Sequence, residues 1–328
     1  MQCALLGTGR QANRLSNAIR LSGSTVSHVL SRTQDSGQAF CKQNAMENTT
    51  QENTALENTI VSTDLDGILE DPSIDAVVIT TPDFLHYEQA SKSLMAGKNV
   101  FLEKPISICV PTAEKLRDIA AEKNLTLAVD YHMRFSPAVQ FLKDLIQQTY
   151  FGDIKKISIS MGWKPNTLDG WRSNKNPWWL LSLLGTHCID LALWMLVPVY
   201  GPLAFFQGTK SNFLHHQLNE DEIDLHMQFE RIKDVSISCH LKEFSPLTIS
   251  IESSKGSFTF DQLLGEKHQI VLQDHIYKFD YKNPWLAAFT AFKDSVSSRT
   301  PFPIDVDDTI QNVFLMNQVK RISSEKRD

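Results

Sequence analysis

The sequence predicts two domains: an α/β domain on a doubly wound parallel sheet, and an α+β domain with a large, open, mostly antiparallel sheet and covering helices. In the first 130 residues, near-continuous apolar runs alternate with helical patterns, as in a parallel sheet covered on both faces. After residue 150 the strands alternate apolar and polar residues, which indicates a sheet with one buried face. We therefore expect the domains to span 1–130 and 131–328.

Six short apolar segments predict the strands of the first domain. They are 2–7, 25–31, 58–63, 75–80, 99–103 and 125–130. Helical patterns lie between most of them, for example at 84–96 and 112–123. The segment 47–59 repeats Glu-Asn-Thr every five residues, and we expect it to form a polar surface loop before the third strand.

Within the second domain, the pattern of apolar residues changes near residue 150 from continuous runs to alternation. Its predicted strands are 153–163, 203–213, 223–230, 234–241, 247–254 and 256–261. An apolar helix at 178–196 is expected to cover the buried face of this sheet. A last helix is predicted at about 305–324, because Pro and Asp residues in TPFPIDVDD form a helix start signal.

Composition and charge indicate an ordinary soluble chain that does not bind nucleic acid. The 328 residues are enough for two domains, and the net charge of −6 is far from the basic stripe of a nucleic-acid binder. Five scattered cysteines form no C-x-x-C motif, and no basic leader precedes the first strand, so we expect a cytoplasmic protein. We expect no metal site either, because the one adjacent histidine pair, His215 and His216, lies in a polar loop.

The apolar run 178–199 is the one candidate for a membrane span. His187 and Asp190 lie near its middle, and a central aspartate costs about 3 kcal/mol on insertion. A buried helix of a soluble protein is therefore favoured over a membrane helix.

The turn after the first strand predicts a dinucleotide-binding Rossmann domain. Gly7, Gly9 and Ala12 form G-x-G-x-x-A between a strand and a helix. The first glycine makes a tight turn, the second lets the backbone approach a pyrophosphate, and the helix N-terminus offers N–H groups to it. The candidate cofactor-binding residues here are Gly7, Thr8, Gly9, Arg10 and Gln11.

The end of the second strand favours NADP over NAD, with NAD still possible. An NAD site usually places a carboxylate there for the ribose 2′-hydroxyl. Here Ser31, Arg32 and Thr33 occupy that place, and the first carboxylate is Asp35. An arginine beside hydroxyl groups suits a 2′-phosphate.

Two further stretches make the chain resemble a known family. VVITTPDFLHYEQASKSLMAGKNVFLEKPIS (77–107) and GTHCIDLALW (185–194) are similar to the Gfo/Idh/MocA family, the glucose-fructose oxidoreductase and inositol dehydrogenase group. The resemblance implies a Rossmann domain followed by an α+β domain whose open sheet often serves oligomerisation. It therefore implies a homo-oligomer, a dimer or tetramer joined through that sheet, and a sugar, cyclitol or related small molecule as substrate.

The resemblance also implies roles for residues of the first domain. The segment Thr80, Thr81, Pro82 with His86 would lie along the cofactor, and Glu103 and Lys104 would reach the nicotinamide and its ribose. Lys104 would also contact the reacting oxygen of the substrate. An ammonium group there can polarise a carbonyl or hold an alkoxide.

In the second domain, His187 aligns with the catalytic histidine of the family. Many relatives carry an aspartate four residues earlier, where this chain has Leu183, and the two positions would share one helix face. Lys104 and His187 could suffice for a less hydroxylated substrate, in a pocket made apolar by Trp178, Trp179 and leucines. Otherwise Asp169 or Asp130 could replace the carboxylate, or the chain could bind cofactor without turnover.

Other residues are candidates for contact with the substrate. An arginine could hold a carboxylate or phosphate, and an aromatic side chain could pack on a ring. These candidates are Tyr131, Arg134, Trp163, Trp171, Arg172 and Asp190, the last mainly as a support for His187.

The predicted function is a hydride transfer between a nicotinamide and a carbon that bears a hydroxyl or carbonyl group. Lys104 and His187 are the predicted catalytic residues. The alternative is a catalytically inactive NADP-binding sensor or regulatory protein, which the leucine at position 183 keeps open.

Overall fold

The computed structural model describes residues 1–46, 59–164, 179–211, 221–264, 268–272, 275–280 and 282–321, and the chain divides into two compact units. The first unit comprises Met1–His132 and Asn283–Val313, and the second comprises Met133–Lys282 and Phe314–Asp328. The predicted loop 47–59 and the substrate candidates Trp171 and Arg172 lie outside the described residues, apart from Thr59.

The first unit is built from six short strands and the helices between and after them. Its strands are β1 (Gln2–Leu6), β2 (Thr25–Leu30), β3 (Ile60–Ser62), β4 (Ala76–Ile79), β5 (Asn99–Glu103) and β6 (Leu127–Asp130). Its helices are α1 (Arg10–Leu21), α2 (Gln34–Met46), α3 (Leu65–Leu69), α4 (His86–Met95), α5 (Val110–Lys123), α8 (Pro284–Ser298) and the first part of α9 (Val306–Gln318). Short 3-10 turns cover Asp83–Leu85 and His132–Phe135.

The six strands form one parallel sheet in the order β3-β2-β1-β4-β5-β6. The residues of β1 after Gln2 and all four residues of β4 are buried, because helices cover both faces of the sheet. This order is the doubly wound Rossmann arrangement, and the predicted fold of the first domain is confirmed.

Helix α8 completes the first unit although it comes near the end of the chain. Its Phe289 and Phe292 pack against Phe101 of β5, with ring centroids 5.6 and 5.4 Å apart. Lys293 of the same helix donates a hydrogen bond of 2.6 Å to the backbone carbonyl of Ser22. The structure thus differs from the predicted boundary at residue 130, because buried aromatic contacts bring residues 283–313 back to the first sheet.

The second unit contains helices α6 (Pro137–Gln147) and α7 (Thr186–Tyr200) and a large sheet. The strands of the unit are β7 (Ile154–Gly162), β8 (Leu203–Ser211), β9 (Glu222–Phe229), β10 (Val235–His240), β11 (Ser245–Ser253), β12 (Gly256–Phe260), β13 (Gln269–Leu272), β14 (His275–Lys278) and β15 (Lys320–Arg321). The large sheet has the order β12-β11-β7-β10-β9-β8-β15, and β13 and β14 form a separate hairpin.

Most neighbours in the large sheet are antiparallel, with parallel pairs at β7–β10 and β8–β15. Along β9, Ile223, Leu225, Met227 and Phe229 are buried, and they belong to the same apolar core as Ile189 of α7. One face of the sheet is therefore covered by the apolar helix, as the alternating sequence predicts. The predicted α+β architecture is confirmed.

The apolar helix begins with an irregular turn. Leu181–Gly185 is a π-helical turn, and α7 continues from it to Tyr200. In the part of the chain that the structure describes, Leu181–Tyr200 is the one helical stretch long and apolar enough to cross a membrane, and 72% of its most apolar window is buried. Such burial is typical of a core helix.

The predicted last helix at 305–324 is wrong at its C-terminal end. Helix α9 ends at Gln318, and β15 follows at once. Lys320 and Arg321 pair in parallel with Thr209 and Lys210 of β8. Pairing with a sheet edge therefore replaces the continued helix that the local sequence favours.

Candidate functional site

The turn after β1 is shaped by a close backbone approach. Gly7 has φ +107°, and its N–H donates a hydrogen bond of 3.0 Å to the Leu30 carbonyl. A Cβ at this position would lie 2.8 Å from Thr80 Oγ1 and 3.3 Å from the Thr80 backbone. Thr80 Oγ1 itself donates to the Leu6 carbonyl at 2.8 Å. Both the conformation and the space at position 7 therefore require glycine.

Gly9 is glycine for a different reason. It is the exposed N-cap of α1, and a Cβ added there would meet nothing within 4 Å. No side chain caps this helix start, so the first-turn N–H groups, Arg10 and Gln11 among them, point toward the turn that Gly7, Thr8 and Gly9 make. A phosphate group fits such a helix start, since the N–H groups and the helix dipole both favour an anion. The residues present therefore fit a dinucleotide pyrophosphate.

Hydroxyl groups cluster where β2 ends and α2 begins. The Oγ atoms of Ser31 and Ser36 lie 2.6 Å apart, and Thr33 Oγ1 lies 2.9 Å from Ser36 Oγ. Arg32 is exposed beside them. The structure thus brings together the three residues predicted for a 2′-phosphate and adds Ser36, which the sequence analysis missed. The T-x-x-S spacing across a helix start could have indicated it.

His86 holds two loops of the first unit together. Its ring is buried, with Nδ1 2.7 Å from the Pro105 carbonyl oxygen and Nε2 2.9 Å from the Thr81 carbonyl oxygen. Burial lowers the pKa of this imidazole. Thr81 Oγ1 donates to Gln89 at 2.6 Å, and Pro82 is half-buried next to it. The buried His86 ring therefore fixes the loops that contain Thr81 and Pro105 relative to each other. Thr80, Thr81 and Pro82 are partly exposed to solvent.

Glu103 and Lys104 stand at the carboxyl end of β5. Lys104 is half-buried, and its peptide bond to Pro105 is cis. Glu103 is buried and accepts a hydrogen bond of 2.6 Å from Gln11 Nε2 of α1. Burial first, and then the charge of Asp130, raises the pKa of Glu103 to about 7, although Lys104 opposes this shift.

A second carboxyl group lies beside Glu103 on the neighbouring strand. Asp130 ends β6, is the register partner of Glu103 and is fully buried. Its Oδ2 lies 3.7 Å from Nδ1 of His132, whose ring stacks on Trp285 of α8 with centroids 4.3 Å apart. The guanidinium of Arg14 lies 4.5 Å above the same tryptophan.

The contacts around these carboxyl groups close into a ring. Arg14 Nη1 donates to Gln11 Oε1 at 2.7 Å, and Gln11 in turn donates to Glu103. We call this set the carboxylate cluster. Its members are Gln11, Arg14, Glu103, Asp130, His132 and Trp285. The sequence analysis considered Asp130 only as a replacement for the missing aspartate, and it missed His132 and Trp285.

His187 lies in the second unit on the first turn of α7, and its side chain is buried. Leu183 precedes it within the π-helical turn and packs against the apolar core of that unit. The turn adds a residue to the helical repeat, so the expected shared face of positions 183 and 187 does not follow from α-helical spacing. The side chain at position 183 is half-buried at the edge of that core.

Arg134 and Asp190 contact each other. Arg134 Nε lies 2.9 Å from Asp190 Oδ2, and Nη2 lies 2.6 Å from Oδ1. Both side chains are buried, and Trp194 packs beneath the guanidinium, with its ring centroid 5.5 Å away. The carboxylate that Arg134 holds in this structure is that of Asp190, which supports a structural role for both residues.

The remaining predicted substrate residues are placed differently. Tyr131 is fully buried in the first unit. Trp163 is half-buried in the second unit, where it packs edge-to-face against Trp179 at 6.1 Å. Trp171 and Arg172, together with Asp169 and Trp178, lie outside the described residues. Within the ranges that the structure describes, no group of three or more His, Cys, Asp and Glu side chains is arranged to hold a metal ion.

Comparison with known proteins agrees with this architecture in both parts of the chain. Residues 1–131 match the model of an oxidoreductase family with an NAD-binding Rossmann fold, named GFO_IDH_MocA. Residues 139–259 match the model of the GFO/IDH/MocA C-terminal domain.

Individual relatives match over part of the chain. The NADP(+)-type scyllo-inositol 2-dehydrogenase of Bacillus subtilis is 33% identical over 40% of this chain and 37% of its own length. The 1,5-anhydro-D-fructose reductase of Ensifer adhaerens is 28% identical over 47% of this chain and 43% of its own length. The matches therefore span less than half the length of these curated relatives.

Solved structures extend the likeness of fold to nearly the whole chain. Levoglucosan dehydrogenase in complex with NADH and levoglucosan has a TM-score of 0.80 and 17% identity, and covers 97% of this chain and 95% of its own. Since the two family models together match most of the sequence, the chain belongs to the Gfo/Idh/MocA oxidoreductase family.

Proposed function

We propose that the protein is an NADP-dependent oxidoreductase that acts on a hydroxyl or carbonyl carbon of a sugar, cyclitol or related small molecule. The observation that carries the proposal is the placement of Lys104 and Glu103 at the carboxyl end of β5. The Gly7–Gly9 turn lies at the same edge of the sheet. Ligands of doubly wound sheets bind at this edge.

The chain supplies binding, orientation and charge for this reaction. When bound, a nicotinamide cofactor supplies or accepts the hydride. The α1 N–H groups hold its phosphates, and the Lys104 ammonium stabilises negative charge on the substrate oxygen. His187 exchanges the proton of that oxygen, a role that rests on its match to the family motif.

The preference for NADP is supported by the end of β2. Arg32 offers a permanent positive charge, and Ser31, Thr33 and Ser36 offer hydroxyl donors within one turn. A ribose 2′-phosphate can accept from all of them, whereas a 2′-hydroxyl leaves the arginine without an anionic partner. The scyllo-inositol relative carries NADP(+) in its name, which agrees with this preference.

The proposed substrate class is supported by relatives named for scyllo-inositol, 1,5-anhydro-D-fructose and levoglucosan. All three are small and rich in oxygen. Leu183 is half-buried and packs against the core of the second unit, so we propose that Lys104 and His187 act without a carboxylate at that position.

The proposal is tested by the oxidation of NADPH with a panel of sugars, inosose-type ketones and simple carbonyls. We expect turnover with at least one member of the panel and its loss in the Lys104→Met variant. Tight binding of NADPH with no turnover across the panel would instead favour a sensor or regulatory protein. Equal turnover by the wild type and the variant would contradict the role of Lys104.

We also propose that the protein forms a homo-oligomer through its second unit. The resemblance to a family whose open sheet often serves oligomerisation supports the proposal. Among the described residues of this unit, Phe205, Phe244 and Phe314 are exposed by 43%, 74% and 51%, and exposed apolar side chains mark an interface where they form one contiguous patch. Sedimentation velocity would show a dimer or tetramer, and a monomer at micromolar concentration would contradict the proposal.

A further inference from the structure

The carboxylate cluster lies in the half of the first sheet that receives the nicotinamide, if the proposed function holds. The strand order reverses between β1 and β4, and a dinucleotide crosses a doubly wound sheet at that point. One nucleotide half lies over β1–β3, where Arg32 follows β2. The other half lies over β4–β6, where Glu103 and Asp130 end adjacent strands.

These two carboxyl groups are close to each other and removed from water. Glu103 is 5% exposed and Asp130 is 0% exposed, and register pairing places them side by side. Glu103 accepts one hydrogen bond from Gln11, whereas neither oxygen of Asp130 has a hydrogen-bond partner among the residues that the structure describes. Two adjacent buried carboxylates repel each other, so such a pair retains one proton that a single carboxyl would lose.

The charged groups around the pair come from every element that packs on it. Lys104 follows β5 and His132 follows β6, and both favour ionised carboxyls. On α1, Arg14 donates to the Gln11 amide oxygen and lies over the ring of Trp285. Trp285 is the residue of α8 in the cluster, and it is uncharged. Burial and the neighbouring carboxylate outweigh the opposing effects of Lys104 and His132 and raise the pKa of Glu103 to about 7. Glu103 is therefore close to its titration midpoint at neutral pH.

We propose that Glu103 and Asp130 share one proton in the free protein, and that the pair releases this proton when the oxidised cofactor binds and keeps it when the reduced cofactor binds. The oxidised nicotinamide ring is positively charged and the reduced ring is neutral. A positive charge within about 4–6 Å stabilises an ionised carboxyl, whereas a neutral ring does not. The cluster thus makes the relative affinity of the protein for the oxidised and the reduced cofactor depend on pH.

The test compares the affinities of the full-length protein for NADP+ and NADPH without substrate. The two ligands share the adenosine and phosphate groups, so the ratio of their dissociation constants isolates the charge of the ring. We expect the ratio of the NADP+ constant to the NADPH constant to fall about tenfold from about pH 6 to about pH 8. Below about pH 7 the pair must lose its proton before the oxidised form binds well. If only NAD+ and NADH bind, the same ratio is measured with them.

Proton release gives a second readout that needs no turnover. Calorimetric titrations at about pH 6.5 in two buffers of different ionisation enthalpy count the protons released. We expect a substantial fraction of a proton to be released with NADP+ and close to none with NADPH.

Variants assign the proton to the pair. Glu103→Gln removes the carboxyl whose pKa is raised and should make the ratio constant over this pH range. Asp130→Asn removes the neighbouring charge and should move the change in the ratio to lower pH. Glu114→Gln, at an exposed carboxyl of α5, is the matched control and should behave as the wild type. A cooperative urea-unfolding transition in each variant shows that the fold is intact.

Three outcomes would overturn the inference. A constant ratio in the wild type, with both ligands bound, removes the proton linkage and leaves the proposed function in place. A pH dependence that survives in Glu103→Gln but disappears in His132→Gln would place the proton on the imidazole instead. Failure of every nicotinamide cofactor to bind removes the proposed function together with the inference.

Discussion

Arg134 and Asp190 form a bidentate ion pair in the interior of the second unit, with both side chains no more than 5% exposed. The pair joins the segment before α6 to the middle of α7, one turn after His187. Removing one partner of a buried pair leaves an uncompensated charge in a medium that solvates it poorly.

We therefore expect Asp190→Ala to destabilise the second unit by about 3–5 kcal/mol. The measurement is urea unfolding followed by tryptophan fluorescence. The double variant Arg134→Met/Asp190→Leu should recover most of the loss, because no charge then remains buried. Lys92→Met, which breaks an exposed ion pair of 3.0 Å with Asp66, is the control and should change stability by less than about 1 kcal/mol. A small effect of Asp190→Ala would mean that water reaches the pair.

Replacement by alanine should lower the stability of the protein at Gly7 and its cofactor affinity at Gly9. Gly7→Ala forces a Cβ against Thr80 at a positive φ, so we expect a loss of about 1–3 kcal/mol in the free energy of unfolding. Gly9→Ala meets open space, so stability should change by less than about 0.5 kcal/mol. The cofactor affinity of Gly9→Ala should nevertheless fall, because the methyl group would occupy the place of the pyrophosphate. Retained affinity in Gly9→Ala would show that the phosphates bind elsewhere.

The pH dependence of stability should differ between the wild type and Glu103→Gln. The folded-state pKa of Glu103 is raised from 4.5 to about 7, so its stabilising protonation is fully present below the unfolded value and is lost as pH rises through the folded value. Relative to Glu103→Gln, the wild type should therefore lose on the order of 2–3 kcal/mol between about pH 4.5 and about pH 8. Urea unfolding at several pH values measures this difference. A constant difference would mean that Glu103 stays ionised in the folded protein.

Lys104→Met should abolish most turnover while leaving the cofactor bound. The variant keeps the aliphatic stem and removes the charge that we propose stabilises the substrate oxygen, so we expect a loss of roughly 10²–10⁴-fold in kcat. NADPH fluorescence measures both turnover and affinity, and the affinity should stay within about tenfold. Lys115→Met, at an exposed position of α5, is the matched control. Comparable losses in affinity and turnover would assign Lys104 to cofactor binding alone.

Arg32→Ala should weaken NADP binding by about tenfold or more and leave NAD binding unchanged. The side chain is exposed, and the charge-assisted hydrogen bonds it would donate exist only with a 2′-phosphate. Dissociation constants for both nucleotides measure the switch, and Lys42→Ala on α2 is the control for a general loss of positive charge. Equal losses for NADP and NAD would show that Arg32 does not select the nucleotide.

The parts of the fold that depend on local patterns were predictable from the sequence. Strands β1 to β6 have continuous apolar runs, and Gly7 and Gly9 stand where a strand meets a helix. The return of α8 to the first sheet was not predictable in this way, because Phe101 and Phe289 are far apart in the chain and neither carries a local signal of the contact.

The same distinction applies to the candidate site. Arg134 and Asp190 were each recognised as candidates, but their pairing across the second unit depends on how α7 packs. His86 was expected along the cofactor, whereas its two ring nitrogens face backbone carbonyls of two loops. Ser36, His132 and Trp285 join the site through tertiary packing, which no spacing along the chain expresses.

The position of α8 makes the first unit depend on a segment that is made long after its sheet. The strands of the first sheet leave the ribosome early, but Phe289 and Phe292, which cover Phe101, and Trp285, which stacks on His132, are made only after residues 133–282. A chain released before this helix would leave an apolar face of the sheet in water and the carboxylate cluster incomplete. The first unit can therefore be completed only after residues 283–313 have been made, and chains that stop before them would be recognised by chaperones and proteases through the exposed face.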